Sequence, residues 1–340
     1  MKAWVVSRYG GPEVLELRDL PLPEAGNGKV LVRVHAIGLN FADLFGRMGV
    51  YPGTPRPPFV PGLEFAGTVV DLGGEAVGFP VGTAVMGYSR HGSHAEYVAV
   101  QRTSIVGLPS GMSFEEGAAF LAVGVTAYHG LIRLANLRVG EKLLIHAAAG
   151  GVGLAAVQLG RFLGAEIFAT AGSDMKLKCA QDYGAHHLFN YRSGNFAAEV
   201  RQLTSGYGVD VVMDSVGGKI FKKSWPLLAG MGRYVLFGLG AVAGPGGLSR
   251  LRATRVLSSM PPIFPTTLIG ANKGITGFNL GTLIGKDEYL RSAVEELLEF
   301  YRKGALRPVV GRVFRFSEMT EAHYFLQTRQ SVGKVVVSVE

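Results

Sequence analysis

Cysteine is almost absent from this chain of 340 residues, which contains only Cys179. A single cysteine excludes an internal disulfide and any cysteine-rich zinc site. Cys179 lies in a helical pattern, where we expect a buried thiol, and it is compatible with a reducing compartment. No apolar leader precedes the first strand-like pattern, and apolar stretches such as 118–131 are shorter than a bilayer requires. We therefore expect a cytoplasmic protein without a transmembrane segment.

Long runs of like charge are also missing, although the formal net charge is +8 from 34 basic and 26 acidic residues. The densest basic cluster is short and spans Arg250 to Arg255. We interpret it as a solvated face and expect no nucleic-acid partner. Attraction to anionic cofactors, acidic lipids or RNA stays open, because net charge alone does not distinguish them.

The length and the pattern of elements predict two domains. Residues 1–123 contain short extended runs between glycine and proline turns, at 30–36, 64–72, 83–88 and 95–100, which is typical of a β-rich domain. Between residues 40 and 61 the periodicity stops, and we expect YPGTPRPP (51–58) to be a proline-stiffened loop, called the proline loop below.

Strands and helices alternate further along the chain, with predicted strands at 142–147, 166–171, 187–190, 209–214, 232–237 and 274–278. This alternation predicts an α/β fold with a doubly wound parallel sheet. A helix at 289–303 and strands at 312–316 and 334–339 then resemble the first part. We predict a Rossmann domain, 124–280, inserted into a β-rich domain formed by 1–123 and 281–340. Segment 243–265 interrupts the alternation, either lining the cleft or contacting another subunit.

A βαβ unit at 142–176 contains the turn that best indicates a ligand. After the first strand come Ala147, Gly150 and Gly153 in an AxxGxxG arrangement, with Gly151 and Val152 between them, and a helix is predicted from about 152 to 163. Small residues there let the backbone approach a pyrophosphate at the helix N-terminus. The strand before the turn and the helix after it support a dinucleotide site.

The end of the second strand discriminates between the two nicotinamide cofactors. A carboxylate there binds the ribose hydroxyls of NAD, but Ala171, Gly172 and Ser173 occupy it. Asp174 lies past the strand, where Ser173 or Asp174 is suited to cap the next helix. Lys176, with the Ser173 hydroxyl, could reach a 2′-phosphate. The sequence therefore favours NADP(H) over NAD.

Five segments carry a resemblance to a known family: LNFAD (39–43), PGLE (61–64), HAAAGGVG (146–153), DVVMDSVGG (210–218) and GKVV (333–336). Together they resemble the zinc-independent medium-chain dehydrogenases/reductases of the quinone oxidoreductase type, in which a Rossmann domain is inserted in a GroES-like catalytic domain. GFNLG (277–281) is similar to the branch that contains the vesicle amine transport protein homologue. Residues 146–171 are similar to the enoyl reductase domains of polyketide synthases.

The resemblance implies functional residues as well as a fold. Asn40, Asp43 and Tyr51 would lie near the nicotinamide. Tyr51 would either donate a hydrogen bond or a proton to the substrate, or it would only be packed among the prolines of the loop. A structural hydrogen bond of Asp43 to the backbone is equally open. Further implied cofactor contacts are Tyr191, Phe237, Gly238, Phe278, Asn279 and Lys334. The resemblance also implies a homodimer.

Zinc-dependent relatives place cysteine and histidine where this chain has Asn40 and Leu63. The remaining histidines show no ligand spacing, and we expect His91, His94, His186 and His187 to be surface or hydrogen-bonded residues. We therefore predict no metal site. Without a Lewis acid, hydride transfer to a conjugated acceptor is easier than alcohol oxidation, because the developing enolate spreads its charge.

These expectations predict an NADPH-dependent quinone or enone reductase. An enoyl-thioester reductase of fatty-acid or polyketide-type metabolism is the first alternative. A non-enzymatic, nucleotide-dependent or vesicle-associated binding protein is the second, since fold alone does not fix function.

Overall fold

A computed structural model describes residues 1–26, 28–74, 78–244, 247–283 and 285–339. The strands are β1 (Lys2–Val6), β2 (Leu15–Asp19), β3 (Lys29–Leu39), β4 (Glu64–Leu72), β5 (Ala84–Tyr88), β6 (Tyr97–Gln101), β7 (Ile105–Gly107), β8 (Lys142–His146), β9 (Glu166–Ala171), β10 (His187–Asn190), β11 (Val209–Asp214), β12 (Leu228–Leu236), β13 (Ala243–Gly244), β14 (Gly247–Leu248), β15 (Gly274–Gly277), β16 (Val310–Arg315) and β17 (Lys334–Ser338). The α-helices are α1 (Phe41–Arg47), α2 (Phe114–Gly117), α3 (Leu121–Tyr128), α4 (Gly151–Phe162), α5 (Asp174–Asp182), α6 (Phe196–Leu203), α7 (Lys219–Ser224), α8 (Arg250–Ser258), α9 (Pro265–Ala271), α10 (Asp287–Arg302) and α11 (Met319–Gln327).

The middle of the chain forms a six-stranded parallel sheet in the order β10-β9-β8-β11-β12-β15. Its central strands are apolar along most of their length because helices cover both faces, as in β8, where Leu143 to His146 are all buried. The strand order reverses between β8 and β11. Ligands of such sheets bind outside the carboxyl ends of the strands at this reversal. The predicted α/β fold with a doubly wound parallel sheet is confirmed.

Both chain ends build a second sheet of seven strands, ordered β16-β17-β3-β4-β5-β7, with β6 also paired to β3. The last strand, β17, runs antiparallel to β3, and Val335 lies opposite Leu39. This register places residue 334 beside the end of β3 and the start of α1. The two sheets follow the predicted division of the chain, while the boundaries at residues 123 and 281 stay a proposal.

Helix α1 lies in the stretch between residues 40 and 61 where the sequence shows no periodicity, ahead of the predicted proline loop. Asp43 Oδ2 accepts a hydrogen bond from the backbone N of Asn40 at 2.7 Å, and the backbone N of Asp43 donates to Asn40 O at 3.0 Å. These two bonds fix the first turn of the helix. The helix has only seven residues. A helix this short shows too few turns for its hydrophobic period to be recognised.

The helical stretch Phe114–Leu134 includes α2, α3 and a π-helical end, His129–Leu134. By length and composition it could cross a membrane, and it is longer than the apolar stretch considered from the sequence. However, 67% of its apolar window is buried inside the protein, as in the core helix of a globular fold. Its hydrophobicity is therefore accounted for by packing against α4 and α10.

One sequence expectation for the histidines is wrong: His94 is neither exposed nor hydrogen-bonded. It is fully buried, and neither ring nitrogen has a partner among the described residues. His94 packs edge to face on His323, whose Nδ1 lies 3.1 Å from Nη1 of the buried Arg47. A Cβ on Gly62 would lie 2.3 Å from His94 Cδ2, so the ring fills the available space. Burial lowers the pKa of His94 to about 3.

This cluster predicts acid sensitivity. The unfolded chain binds the imidazole proton near pH ~6.5, whereas folded His94 binds it only near pH 3. As pH falls through this window the unfolded state takes up more protons, so the free energy of unfolding decreases. His94→Phe should make that decline shallower, by up to about 3 kcal/mol at pH 4, in urea titrations between pH 4 and 7. His91→Phe, at an exposed position, is the comparison and should change the decline much less, because the pKa of His91 is lowered less than that of His94. Equal slopes for wild type and His94→Phe would contradict the prediction.

Candidate active site

The turn between β8 and α4 has the geometry of a phosphate-binding loop. Ala147 adopts a left-handed φ of 52°, and Gly150 occupies the N-cap position of α4. A Cβ on Gly153 would lie 2.3 Å from Ala147 O, so only glycine lets the helix pack this closely on the turn. The amides of the first turn, Gly151, Val152 and Gly153, have no intrahelical acceptor and can bind a pyrophosphate.

The end of the chain is attached to this turn. Gly333 N donates to Ala149 O at 2.8 Å, and Gly333 forms a parallel bridge with Gly150. A Cβ on Gly151 would lie 3.6 Å from Lys334 Cδ, so the Lys334 stem runs along the start of α4. Movement of the turn is therefore coupled to β17 through direct contacts.

A buried ion pair follows from that placement. Lys334 Nζ lies 2.6 Å from Glu64 Oε2, and the side chains are 4% and 0% exposed. The same ammonium donates to Asn40 Oδ1 at 2.6 Å, and Glu64 Oε1 accepts from Ala122 N at 2.7 Å. Lys334, expected near the cofactor phosphates, thus lies beside the turn while its ammonium binds Glu64 and Asn40.

Both ends of the Asn40 amide are used within the protein. Its Oδ1 accepts from Lys334, and its Nδ2 donates to Gly38 O at 3.2 Å and to Glu64 Oε2 at 3.3 Å. Asp43 is also buried, and its Oδ1 has no partner among the described atoms. Burial raises the pKa of Asp43 to about 7. Asp43 lines the inner end of the site, and Asn40 supports it through the hydrogen bond from Asn40 N to Asp43 Oδ2.

Tyr51 lies in the proline loop, but its hydroxyl is directed to the parallel sheet. It donates to Asn279 Oδ1 at 2.7 Å and accepts from Gly281 N at 3.2 Å. Burial raises the pKa of Tyr51, so the phenol is protonated at neutral pH. An open cleft lies beside this hydroxyl. It is lined by Ala42, Asp43, Gly46, Tyr51, Pro52, Gly53, Thr54, Pro55, Phe59, Pro61, Gly62, Leu63, Arg90, His91 and Gly281.

The carboxyl ends of β12 and β15 bring the other nicotinamide candidates together. Phe237 stacks on Phe278 with ring centroids 5.9 Å apart, and Asn279 follows next in the chain. A Cβ on Gly238 would lie 2.8 Å from Ser215 O, which explains a glycine there. Because parallel strands end at one edge of the sheet, this group and the dinucleotide turn face the same crevice.

Four cations gather at the end of β9, where the sequence lacks an NAD-type carboxylate. Lys176 Nζ donates to Arg329 O at 2.6 Å, and burial, then Arg192 and Arg329, lower the pKa of Lys176. Burial lowers the pKa of Arg329, and the positive charge of Arg252 on α8 lowers it further. A positive, partly exposed cluster of this kind suits a dianionic phosphate.

The other predicted residues of this region lie around the cluster. A Cβ on Gly172 would lie 2.7 Å from the Tyr191 hydroxyl, so the two residues are in close contact. Ser173 is the N-cap residue of α5, yet its hydroxyl makes no capping bond. Asp174 accepts from Asn190 Nδ2 at 2.9 Å.

Sequence reasoning missed Arg192 and Arg329, and it interpreted the basic cluster that contains Arg252 as a solvated face. Arg192 directly follows Tyr191 and could have been included with it. Arg329 lies in the turn after α11 with a φ of 58°, and Arg329 Nη2 donates to Gly240 O at 2.8 Å. No local pattern relates position 329 to position 176. The segment at 243–265, which interrupts the alternation of strands and helices, contributes to this cluster through Arg252.

Comparison with known proteins identifies the family. Residues 26–110 match the alcohol dehydrogenase GroES-like domain, and residues 183–337 match the zinc-binding dehydrogenase family. The rat synaptic vesicle membrane protein VAT-1 homolog is 35% identical across 99% of this chain and 84% of its own length. A quinone oxidoreductase of Pseudomonas aeruginosa is 36% identical across 97% of each chain. This chain belongs to the medium-chain dehydrogenase/reductase family.

Solved structures of the family agree with the fold. The Escherichia coli quinone oxidoreductase complexed with NADPH has a TM-score of 0.87 and 29% identity, covering 99% of this chain and 100% of the other. The CurK enoyl reductase has a TM-score of 0.84 and 32% identity, covering 100% and 99%. The resemblance drawn from the sequence, including the GroES-like and Rossmann domains, is therefore confirmed. NADPH binding is found within this family.

The metal-binding potential of this family member is limited by its residues. No three His, Cys, Asp or Glu side chains group to hold a metal in the part of the chain that the structure describes. The positive charge beside Asn40 is that of the Lys334 ammonium, which donates a hydrogen bond to Asn40 Oδ1. The predicted lack of a metal site stays a prediction.

The ion pair gives a stability prediction. Lys334→Met leaves the Glu64 carboxylate buried without its cation, which should lower the free energy of unfolding by about 3–5 kcal/mol. The double variant Glu64→Gln/Lys334→Met should recover more than half of that loss in urea titrations. Lys178→Met breaks the exposed Lys178–Asp182 pair and is the control, with an expected change below about 1 kcal/mol. Equal losses for Lys334→Met and Lys178→Met would rule out the role assigned to the buried pair.

Proposed function

We propose that this protein is a reductase that uses NADPH to deliver hydride to a conjugated acceptor, a quinone or an α,β-unsaturated carbonyl compound, without a metal. The observation that carries the proposal is the Tyr51–Asn279 hydrogen bond, at 2.7 Å, beside an open cleft at the carboxyl edge of a Rossmann sheet. The Tyr51 phenol can donate a hydrogen bond to an acceptor oxygen on which negative charge develops. The four-cation cluster supports NADPH in particular.

The residues present suit the cofactor at each of its parts. Gly151, Val152 and Gly153 would hold the pyrophosphate, and Lys176, Arg192 and Arg329 the 2′-phosphate. At the other end, the residues at the carboxyl edge of β12 and β15 would face the nicotinamide: Phe237, Gly238, Phe278 and Asn279. When bound, NADPH supplies the hydride.

Tyr51 is the group that would serve the acceptor. Its pKa is raised by burial, so it holds its proton at neutral pH and can donate a hydrogen bond to a developing enolate oxygen. Asn279 holds the phenol in place before an acceptor binds, since its Oδ1 accepts the hydrogen bond of the hydroxyl in the structure. The hydroxyl would turn from Asn279 to the acceptor oxygen when it donates there. Asn40 and Asp43 support the inner end of the site rather than the acceptor, because their polar atoms bind other protein groups or are buried.

Acceptors with a conjugated system follow from these groups. A saturated alcohol would need a strong electrophile at its oxygen, which Asn40 and Leu63 do not provide. A quinone or an enone delocalises the negative charge that it gains with the hydride, so one hydrogen bond from a phenol is enough to stabilise its oxygen. This argument selects the reaction class.

Turnover tests the proposal directly. Purified protein should oxidise NADPH with a small quinone or enone, and a chelator should not reduce the rate. Tyr51→Phe should lower kcat by about 10²-fold or more while the Kd for NADPH stays unchanged. Tyr207→Phe is the control, since the exposed Tyr207 hydroxyl donates to Asp210 Oδ1 and neither residue lines the cleft. Unchanged turnover in Tyr51→Phe would remove this residue from the mechanism.

Cofactor choice gives a second test. Arg192→Gln should raise the Kd for NADPH about tenfold and leave the Kd for NADH unchanged, because only NADPH carries the 2′-phosphate. Lys178→Gln, on the outer side of α5, is the control. Fluorescence titration of both nucleotides measures the effect, and an equal loss for NADPH and NADH would contradict the placement of the phosphate.

An enoyl-thioester reductase is the second candidate, favoured by the likeness to the CurK enoyl reductase over the whole chain. A panel of enoyl-thioesters and quinones at matched concentrations separates the two. A non-enzymatic vesicle-associated role is motivated by the likeness to the VAT-1 homolog and by the net charge of +8. It would be supported by salt-sensitive binding to anionic liposomes together with no turnover of any acceptor.

We also propose a homodimer. Strand β15 ends the six-stranded sheet, and its residues are half-buried or exposed, so its outer edge is open in the single chain. The neighbouring α8 and α9 expose Leu251, Leu257 and Ile269. Pairing of two β15 edges would cover both features.

A further inference from the structure

The outer wall of the acceptor cleft is built by two turns from different parts of the chain. The proline loop contributes Pro52, Gly53 and Thr54, and the turn after β5 contributes Arg90 and His91. Gly53 has a φ of 79°, which favours glycine, and Arg90 Nη1 lies 3.9 Å from the position of a Cβ there. The Arg90 guanidinium therefore reaches across to the proline loop at the rim of the cleft.

The charges along this cleft are unequally placed. Asp43 lies at its inner end and is fully buried, and its pKa is raised to about 7. His91 is beside Arg90, and burial, then the charge of Arg90, lower the pKa of His91, so this ring is neutral at pH 7. The full charge among the lining residues at the rim is therefore the positive charge of Arg90.

We infer that the natural acceptor carries an anionic group, a carboxylate or a phosphate, beyond its reducible double bond, and that Arg90 binds this group. The inference rests on the proposed function and specifies its substrate class. A guanidinium matches the two oxygens of either anion with parallel hydrogen bonds. The other lining groups near the rim are largely apolar or backbone, so one charged contact would set the direction in which the acceptor enters.

Two pairs of acceptors test the inference and distinguish the sources of the anion. The first pair is an enone that bears a distal carboxylate and its methyl ester. The second is crotonyl-4′-phosphopantetheine and crotonyl-pantetheine, which differ only in the phosphate. Wild type should show a kcat/KM at least about fivefold higher for the anionic member of one pair, as expected for a partly exposed charge-assisted hydrogen bond.

Arg90→Gln should remove that preference. KM for the preferred anionic acceptor should rise about five- to tenfold, while KM for its neutral partner and the Kd for NADPH stay unchanged. Arg56→Gln is the matched control. Arg56 is an exposed arginine of the proline loop, and it does not line the cleft. Preferences near one in both pairs for wild type, or equal losses for charged and neutral acceptors in Arg90→Gln, would overturn the inference.

A binding measurement separates this inference from the proposed function. Calorimetric titration of the NADP⁺-loaded protein compares the saturated carboxylate product with its methyl ester, and the phosphopantetheine product with its pantetheine analogue. Tighter binding of a charged member that is lost in Arg90→Gln supports the anion site even if no acceptor is reduced. No difference in either pair overturns it even if a neutral quinone is reduced rapidly.

Discussion

The Lys334–Glu64 ion pair connects the parts of this molecule that must act together. Lys334 belongs to the last strand, directly after the residue that bonds the dinucleotide turn, and Glu64 begins β4 in the opposite half of the chain. Because both charges are buried, each is stable only in the presence of the other. The position of Asn40, and with it the start of α1, depends on the same ammonium. The turn at 147–153 and the inner end of the cleft beside Tyr51 are thereby held in one arrangement.

Around this fixed centre the site is organised by charge. The basic cluster at Lys176, Arg192 and Arg329 lies at the β9 side of the crevice, and the neutral phenol of Tyr51 lies at the β15 side. Helix α4 directs its unpaired amides to the middle of the crevice. A dinucleotide with phosphates at one end and a polarised ring at the other matches this order. The cleft continues outward from Tyr51 to Arg90.

The features that depend on residues close together in the chain could be predicted from the sequence. The βαβ turn, the strands of the parallel sheet and the missing carboxylate after β9 are local patterns, and each was recognised. Contacts between distant positions could not be predicted in this way. Tyr51 and Asn279 are 228 residues apart, and Lys334 and Glu64 are 270 apart. The unpaired burial of His94 was also missed, because its sequence context is that of an ordinary turn.

Competition between two fragments of the nucleotide tests the central claim, that the basic cluster binds an extra phosphate beside the turn at 147–153. Titration with 2′,5′-ADP and with 5′-AMP isolates this contact, since the two ligands differ only in the 2′-phosphate. We expect 2′,5′-ADP to displace bound NADPH at a concentration at least about tenfold lower, with the difference decreasing as salt is added. Equal potency of the two fragments at low salt would contradict the account.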